Sequence, residues 1–208
     1  MKKIVIAIDG PSASGKGSLA KKIASHFDLA YLNTGAIYRL IALRVINKKL
    51  DPHNIEEHLT TLTKNISEQD LDNDELFSEA VGAIASIIAK NKNLRQSIFQ
   101  FQRDFISNGK IHKNGCVLDG RDTTTVICPD ADYKFFVTAN VEIRAQRRFQ
   151  QFPNQDYNEI LTQLKTRDDN DLNRAESPLK IADGAIIIDN GNLTIAEGYA
   201  KILEYIKI

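Results

Sequence analysis

Apolar and polar positions alternate along this chain in two rhythms. Short apolar, β-branched runs at 3–8, 30–32, 116–118, 134–137 and 185–188 have the length and composition of strands. The run Ile4-Val5-Ile6-Ala7-Ile8 carries no polar interruption, the pattern of a buried strand. Between these runs apolar residues recur with the period of amphipathic helices, at 16–27, 35–46, 141–151, 157–169 and 195–205. The last helix opens on Thr194-Ile195-Ala196-Glu197, a capping box. Strands alternating with helices predict an α/β fold, a parallel sheet covered by helices.

Two stretches break the alternation. Residues 48–114 are polar and mostly helical in pattern, with Leu76, Ala80, Ile84, Ile87 and Ile88 at helical spacing, which predicts an inserted lobe. Residues 152–177 are dense in charge and poor in strand formers, which predicts an exposed helix and loop able to act as a lid. Sheets of this kind bind ligands beyond the carboxyl ends of their strands. Asp9-Gly10, Asn33-Thr34-Gly35, Asp119-Gly120-Arg121-Asp122 and Asp189-Asn190 all fall at such ends.

The first of these ends carries the most specific chemistry. Gly10-Pro11-Ser12-Ala13-Ser14-Gly15-Lys16-Gly17-Ser18 links the first strand to the first helix, the arrangement of a phosphate cradle. Glycines let the loop curl with its amides inward, the helix N-terminus faces the anion, and Lys16 reaches the terminal phosphates. The usual pattern places a magnesium-binding hydroxyl directly after the lysine; here Gly17 intervenes and the hydroxyl comes at Ser18.

Composition narrows the partners. A chain of 208 residues, 42% hydrophobic and 26% charged, has the size and make-up of one globular domain with room for inserted lobes. Formal net charge is zero, so no nucleic-acid footprint is expected and anion binding must come from local clusters of cations. Cys116 and Cys128 show neither metal-ligand nor disulfide spacing, which fits core positions in a reducing cytoplasm. His26, His53, His58 and His112 are scattered at no ligand spacing. The chain starts directly in a strand without a signal peptide, and no apolar stretch is long enough for a membrane, so a cytoplasmic location is expected; the chain is also expected to be a monomer.

Three further clusters carry charge. Val117-Leu118-Asp119-Gly120 fits an acid near Mg²⁺ and equally an Asp-Gly turn; the upstream cradle favours the acid. Thr34-Gly35-Ala36-Ile37-Tyr38-Arg39 opens the second helix with the Thr34 hydroxyl as cap, and alone fits an ordinary capped helix. Arg167-Asp168-Asp169-Asn170-Asp171-Leu172-Asn173-Arg174 spaces Arg167 with Asp171 and Asp171 with Arg174 as helical ion pairs, the usual make-up of a solvated face. Arg144, Arg147 and Arg148 share a helix face, as surface charge or as a nucleotide clamp, with Arg147 the expected ATP ligand.

Taken together and in order over nearly the whole chain, the cradle, Thr34–Arg39, Asp119–Asp122 and Arg167–Arg174 motifs resemble the bacterial cytidylate kinases. The resemblance implies a P-loop NTPase fold, three αβα layers with a five-stranded parallel sheet, an inserted acceptor-binding lobe and a short lid. It implies ATP in the cradle, with Mg²⁺ held by Ser18 and Asp119 partly through water, and CMP or dCMP as acceptor. Ser86, Arg95 and Asp122 would contact the cytosine, with Arg103 in the same cytidine-specific set and Thr34 at the acceptor. Asp171 would hold a sugar hydroxyl, and Arg39, Arg121, Arg167 and Arg174 would serve phosphate or base. Thr34 and Asn33 stand where many relatives have Ser and Asp, and the stretch 65–75 is short and poor in strand formers, which predicts a reduced lobe.

A phosphate acceptor is already anionic and needs no general base, so the expected catalysis is positioning and charge neutralisation. The alternatives are another small-molecule or nucleotide kinase on this fold, or a nucleotide switch. A hydroxyl kinase would need a positioned base, and Asn91-Lys92-Asn93-Leu94 does not complete the guanine-reading motif of a GTPase switch.

Overall fold

Strand β1 (Ile4–Asp9) is buried along its whole length, and its alternate residues serve two different cores. Val5 and Ala7 pack on one side with helices α2 (Thr34–Asn47) and α5 (Lys92–His112). Ile4, Ile6 and Ile8 pack on the other with α1 (Lys16–Phe27) and α8 (Ile195–Leu203). The unbroken apolar run is thus the signature of a central strand sandwiched by two helical layers. With β2 (Ala30–Asn33), β3 (Gly115–Gly120), β4 (Tyr133–Thr138) and β5 (Ile186–Asp189) it forms one five-stranded parallel sheet in the order β2-β3-β1-β4-β5. The structure, a computed structural model, describes residues 3–207.

Strands β1, β3 and β5 run further at their carboxyl ends than their apolar runs predict. Ladder pairing carries them on: Ile8 pairs with Asp119, Asp9 with Gly120 and Thr138 with Asp189. Polar residues at these ends are therefore part of the sheet, held rigidly at its ligand-binding edge. Helix α2 begins at Thr34, but its cap is Asn33, whose Oδ1 accepts from the Ala36 amide at 3.2 Å. The Thr34 hydroxyl, expected as the cap, instead donates to the Asp119 carbonyl at 2.9 Å. The capping box at α8 forms in full, with Thr194 and Glu197 satisfying each other's amides.

Residues 48–114 fold as helices α3 (Leu59–Thr63), α4 (Glu79–Ile88) and α5 with short 3₁₀ turns between them. Their apolar side chains, Leu62, Leu76, Val81, Ile88 and Leu94 among them, join the same core as β1 and α2. Helix α5 spans two environments: its first turn carries Arg95 toward the site, while Phe105, Ile106 and Gly109 lie in the main helical layer over β3. Helices α6 (Val141–Gln151) and α7 (Tyr157–Asn173) close on each other over Ala145, Ile160 and Leu164. Helix α7 runs four residues past its predicted end at 169, through its acidic last turn. Carboxylates there oppose the helix dipole, and ion pairs to neighbouring arginines offset that cost. Among the described residues no helix is long and apolar enough to cross a membrane.

One buried carboxylate joins β1 to the segment after β3. Asp9, 0% exposed, accepts from the amide and hydroxyl of Thr123 at 2.9 and 2.6 Å and from those of Thr124 at 2.8 and 2.5 Å. These threonines open the π-helical turn Thr123–Ile127. Asp9→Ala leaves four buried donors without their acceptor, at a cost of about 3 kcal/mol. The expected fall in Tm, roughly 6–12 °C, is measurable by scanning calorimetry. An unchanged Tm would contradict this account of the junction.

Candidate active site

The loop after β1 turns where a side chain cannot follow. Gly10 has φ 152, and a Cβ there would lie 2.0 Å from the Val137 carbonyl oxygen of β4. Gly15, at φ 89, caps α1 without any side-chain hydrogen bond, so the first-turn amides of the helix remain available to an anion. Pro11 and Ser14 are buried, and Ser12 and Ala13 are half-buried. The Lys16 ammonium lies over this loop and donates to the Pro11 carbonyl at 3.0 Å. Burial first, and then the nearby Arg121 charge, lower its pKa, with Asp119 pulling the other way. A cation held in this state gains from an arriving anion.

Asp119, at the end of β3, is buried beside Lys16, and burial raises its carboxyl against the lysine's charge. Its Oδ1 accepts from the Tyr31 hydroxyl at 2.8 Å, and burial with that acid pushes the Tyr31 hydroxyl up as well. The position facing this pair on α1 is Gly17: a Cβ there would lie 3.6 Å from both Asp119 Oδ2 and the Tyr31 oxygen. Ser18 is exposed, in the first turn of α1. Asp119 is thus the carboxylate that acts most strongly on Lys16, and among the described residues no cluster of three or more His, Cys, Asp or Glu side chains could hold a metal alone. One carboxylate beside a phosphate site suits Mg²⁺, which takes hard oxygen ligands and keeps phosphate oxygens and waters around it.

Three residues further on, the chain lines a second pocket. Arg95 Nη1 meets Asp122 Oδ2 at 2.8 Å, its Nε donates to the Ala89 carbonyl at 2.7 Å, and its guanidinium lies over the Tyr38 ring. Burial raises Asp122 against the pull of Arg95 and Arg174, and lifts the Tyr38 hydroxyl to about 12. Arg121 Nε meets Asp171 Oδ2 at 2.6 Å, and Arg174 Nη1 lies 3.6 Å from Asp171 Oδ1. Burial alone would raise Asp171, but Arg121 and Arg167 outweigh it and hold the carboxyl below its usual range. The Ser86 hydroxyl and Arg174 Nη2 are buried here without a hydrogen-bond partner among the described residues. The space they enclose is about 60 Å³, and it meets a larger cavity of about 540 Å³ at Ser86 and Arg167.

Helix α7 therefore uses its acids differently from the predicted helical pairs. Asp171 turns to Arg121 on the sheet edge, and Asp168 grips Arg144 of α6 at 3.1 and 2.5 Å. Arg144 also donates to the Ser12 carbonyl of the cradle at 3.1 Å, which makes it a brace. Arg147 Nη2 binds the carbonyls of Asn190, Gly191 and Leu193, leaving Nη1 buried and unpartnered. Arg148 pairs with Glu79 of α4.

Arg39 is buried, donates to the Leu76 carbonyl at 2.6 Å and lies over the Phe77 ring. Burial first, then Arg167, Arg148 and Arg121, pull its pKa down to about 9; burial and Arg121 pull Arg167 to about 10. Arg121, itself raised against burial by its Asp171 partner, and Arg148 thus add to burial in lowering Arg39 and Arg167, a surplus of positive charge that suits an anion.

Arg103 is not brought to this pocket. Its Nη1 donates to the Ile127 carbonyl at 2.8 Å and lies 3.7 Å from Asp130, on a partly exposed face of the π-helical turn. Two helical turns along α5 from Arg95, it lies beyond that turn, which separates it from the pocket. Thr34, Ser86, Arg95, Arg121, Asp122, Arg167, Asp171 and Arg174 do converge. Sequence reasoning missed Tyr31, Glu79, Asp168 as the partner of Arg144, and Asn190 as a support of the cradle. Asp9 and Asn190 were legible only as polar residues at strand ends.

A family model described as Cytidylate kinase matches residues 6–208. A curated cytidylate kinase from Bartonella tribocorum is 42% identical over 210 residues, which cover 99% of this chain and 95% of the relative. Another, from Bartonella quintana, is 45% identical over 199 residues, covering 94% of this chain and 90% of the relative. Among solved structures, an uncharacterized protein from Eubacterium ventriosum has TM-score 0.57 at 18% identity over 97% of each chain, a likeness of fold.

The Arg144–Asp168 fork predicts how α7 is held. Asp168→Ala removes the acceptor of two hydrogen bonds from Arg144, so α7 amides should exchange with solvent roughly ten- to a hundredfold faster. Amides of β1 and β3 should keep their protection. Unchanged exchange in α7 would contradict its anchoring through this pair.

Proposed function

Because the chain belongs to the cytidylate kinase family, we propose that it transfers the γ-phosphoryl group of ATP to CMP or dCMP, giving ADP and CDP or dCDP. The observation that carries this reading is the span of β3 and the residues after it. Within four residues it offers Asp119 beside the cradle lysine and Arg121 and Asp122 in the neighbouring pocket. A donor site and an acceptor site are thus built side by side on one rigid strand end.

ATP lies with its phosphates along Gly10–Ser18, and Arg147, whose Nη1 lacks a partner, meets the nucleoside end. Asp119 and the Ser18 hydroxyl would hold Mg²⁺, partly through water, and the ion would supply positive charge against the phosphates. The acceptor is a phosphate oxygen, already anionic at neutral pH, so no residue need remove a proton. The task is to bring two polyanions together, and like charges ~4 Å apart repel by roughly 4 kcal/mol at an effective dielectric near 20. Lys16, Arg39, Arg121, Arg167 and Arg174 supply the compensating charge. Burial and like charge lower Lys16, Arg39, Arg167 and Arg174, so an arriving anion would relieve an existing cost.

The base is read by groups that already hold complementary partners. Asp122 accepts from Arg95 in the free protein and would accept the cytosine amine, while Arg95 turns to the ring nitrogen and carbonyl. Ser86 supplies a buried hydroxyl still lacking a partner, and Asp171 takes a sugar hydroxyl. Thr34 lines the acceptor pocket. Uracil would set a carbonyl against Asp122, acceptor against acceptor, so UMP is disfavoured. Residues 48–114 act as the monophosphate-binding lobe and residues 152–177 as the lid, whose Arg167 and Arg174 already line the pocket and whose closure would exclude water. The enzyme works as a monomer in the cytoplasm without nucleic-acid partners, in keeping with its zero net charge and two free buried cysteines.

Two sets of variants test the assignment, with turnover followed by ADP release. Arg95→Ala and Asp122→Ala should raise the KM for CMP about tenfold or more, the scale of a lost charged hydrogen bond, with the KM for ATP nearly unchanged. An equal loss of ATP binding in both would remove these residues from the acceptor site. Lys16→Ala should lower kcat by about a hundred- to a thousandfold in a protein that melts normally, and retained turnover would remove the lysine from catalysis.

A further inference from the structure

The phosphate cradle is supported from behind by a side chain that the proposed reaction does not touch. Asn190 follows β5 and is 3% exposed, with its amide bonded to the Thr138 carbonyl at 2.8 Å. Its carboxamide fills a slot between two glycines. Nδ2 donates to the Ser14 carbonyl of the cradle at 2.8 Å. A Cβ on Gly15 would lie 2.4 Å from Nδ2, and a Cβ on Gly198 would lie 2.5 Å from Oδ1.

The first glycine is demanded by its backbone; the second is not. Gly15 has φ 89, whereas Gly198 sits inside α8, where glycine weakens a helix relative to alanine. Room for Asn190 gives Gly198 a physical reason. The same residue reaches the other end of the donor site, since its carbonyl accepts from Arg147 Nη2 at 2.6 Å. The contact to Ser14 falls one residue before the left-handed turn at Gly15 and two before Lys16, the stretch where a displaced carbonyl would redirect the following amides.

We propose that Asn190 is a positioning residue of the donor site: its carboxamide, seated by Gly198, holds the Ser14 carbonyl and thereby sets the curl of the phosphate loop. This rests on the reading of that loop as the ATP site. Asn190→Ser shortens the side chain, and Gly198→Ala drives a methyl group into Oδ1. Each should weaken ATP binding about tenfold, the net contribution of one hydrogen bond, measured by calorimetry without acceptor and as the KM for ATP in turnover. The KM for CMP should stay within about twofold, and Tm within about 3 °C.

The double variant Asn190→Ser/Gly198→Ala should be no worse than Asn190→Ser, because the shorter side chain leaves space for the methyl group. Parallel rises in the KM for ATP and CMP, undiminished ATP binding in Gly198→Ala, or additive losses in the double variant would each overturn the proposal. An unaltered chain that binds ATP but does not turn over CMP would overturn the kinase reading and leave this comparison of ATP affinities intact.

Discussion

Buried at the edge of the sheet, the Asp9 carboxylate accepts from two amides and two hydroxyls of Thr123 and Thr124, and so locks the end of β1 to the segment leaving β3. The phosphate loop begins one residue after Asp9, and Arg121 and Asp122 immediately precede the threonines. Any shift of one half of the site relative to the other would break charged hydrogen bonds in a place that water does not reach. Parallel pairing of Ile8 with Asp119 and Asp9 with Gly120 fixes the register of the same junction through the backbone. Phosphoryl transfer depends on holding two phosphates in line, and this junction supplies that rigidity on the sheet side.

Around the junction the protein collects more positive charge than its own acids neutralise. Arg121 finds Asp171, Arg95 finds Asp122, Arg148 finds Glu79 and Arg144 finds Asp168. Among the described residues Arg39 meets backbone carbonyls and an aromatic ring, and Arg167 shares Asp171 with Arg121 at a distance. Several of these pairs join separate elements: Arg148 to Glu79 links α6 to α4, and Lys90 to Asn170 links the end of α4 to α7 at 2.8 Å. The pocket they surround is small in this state, about 60 Å³. Substrate phosphates would supply the negative charge that this cluster lacks, at Arg39 and Arg167 above all.

Much of the fold was legible because it rests on periodicity and local chemistry. The uninterrupted apolar run of β1, the glycines of the cradle and the Thr194–Glu197 capping box each encode their structure within a few residues. Features that depend on distant partners were not. Helix α7 runs past its predicted end because Asp171 meets Arg121 fifty positions away, and Thr34 gives up its capping role because the Asp119 carbonyl lies within reach. Arg103 had the right spacing from Arg95 along one helix, yet the turn after Asp122 diverts it to Ile127. Asn190 stood at a strand end, and its slot became visible only when Gly15 and Gly198 were found on either side of it.

Asp122 and Arg95 would read one base, beside a cradle that holds the donor. The most direct test is ADP release from ATP and Mg²⁺ with CMP, dCMP, UMP, AMP, GMP and shikimate offered in turn. Release dependent on CMP or dCMP, at a kcat/KM at least about a hundredfold above that for UMP, is the expected result for a site whose buried acceptor faces the exocyclic amine. No CMP-dependent ADP, or equal use of UMP, would contradict it.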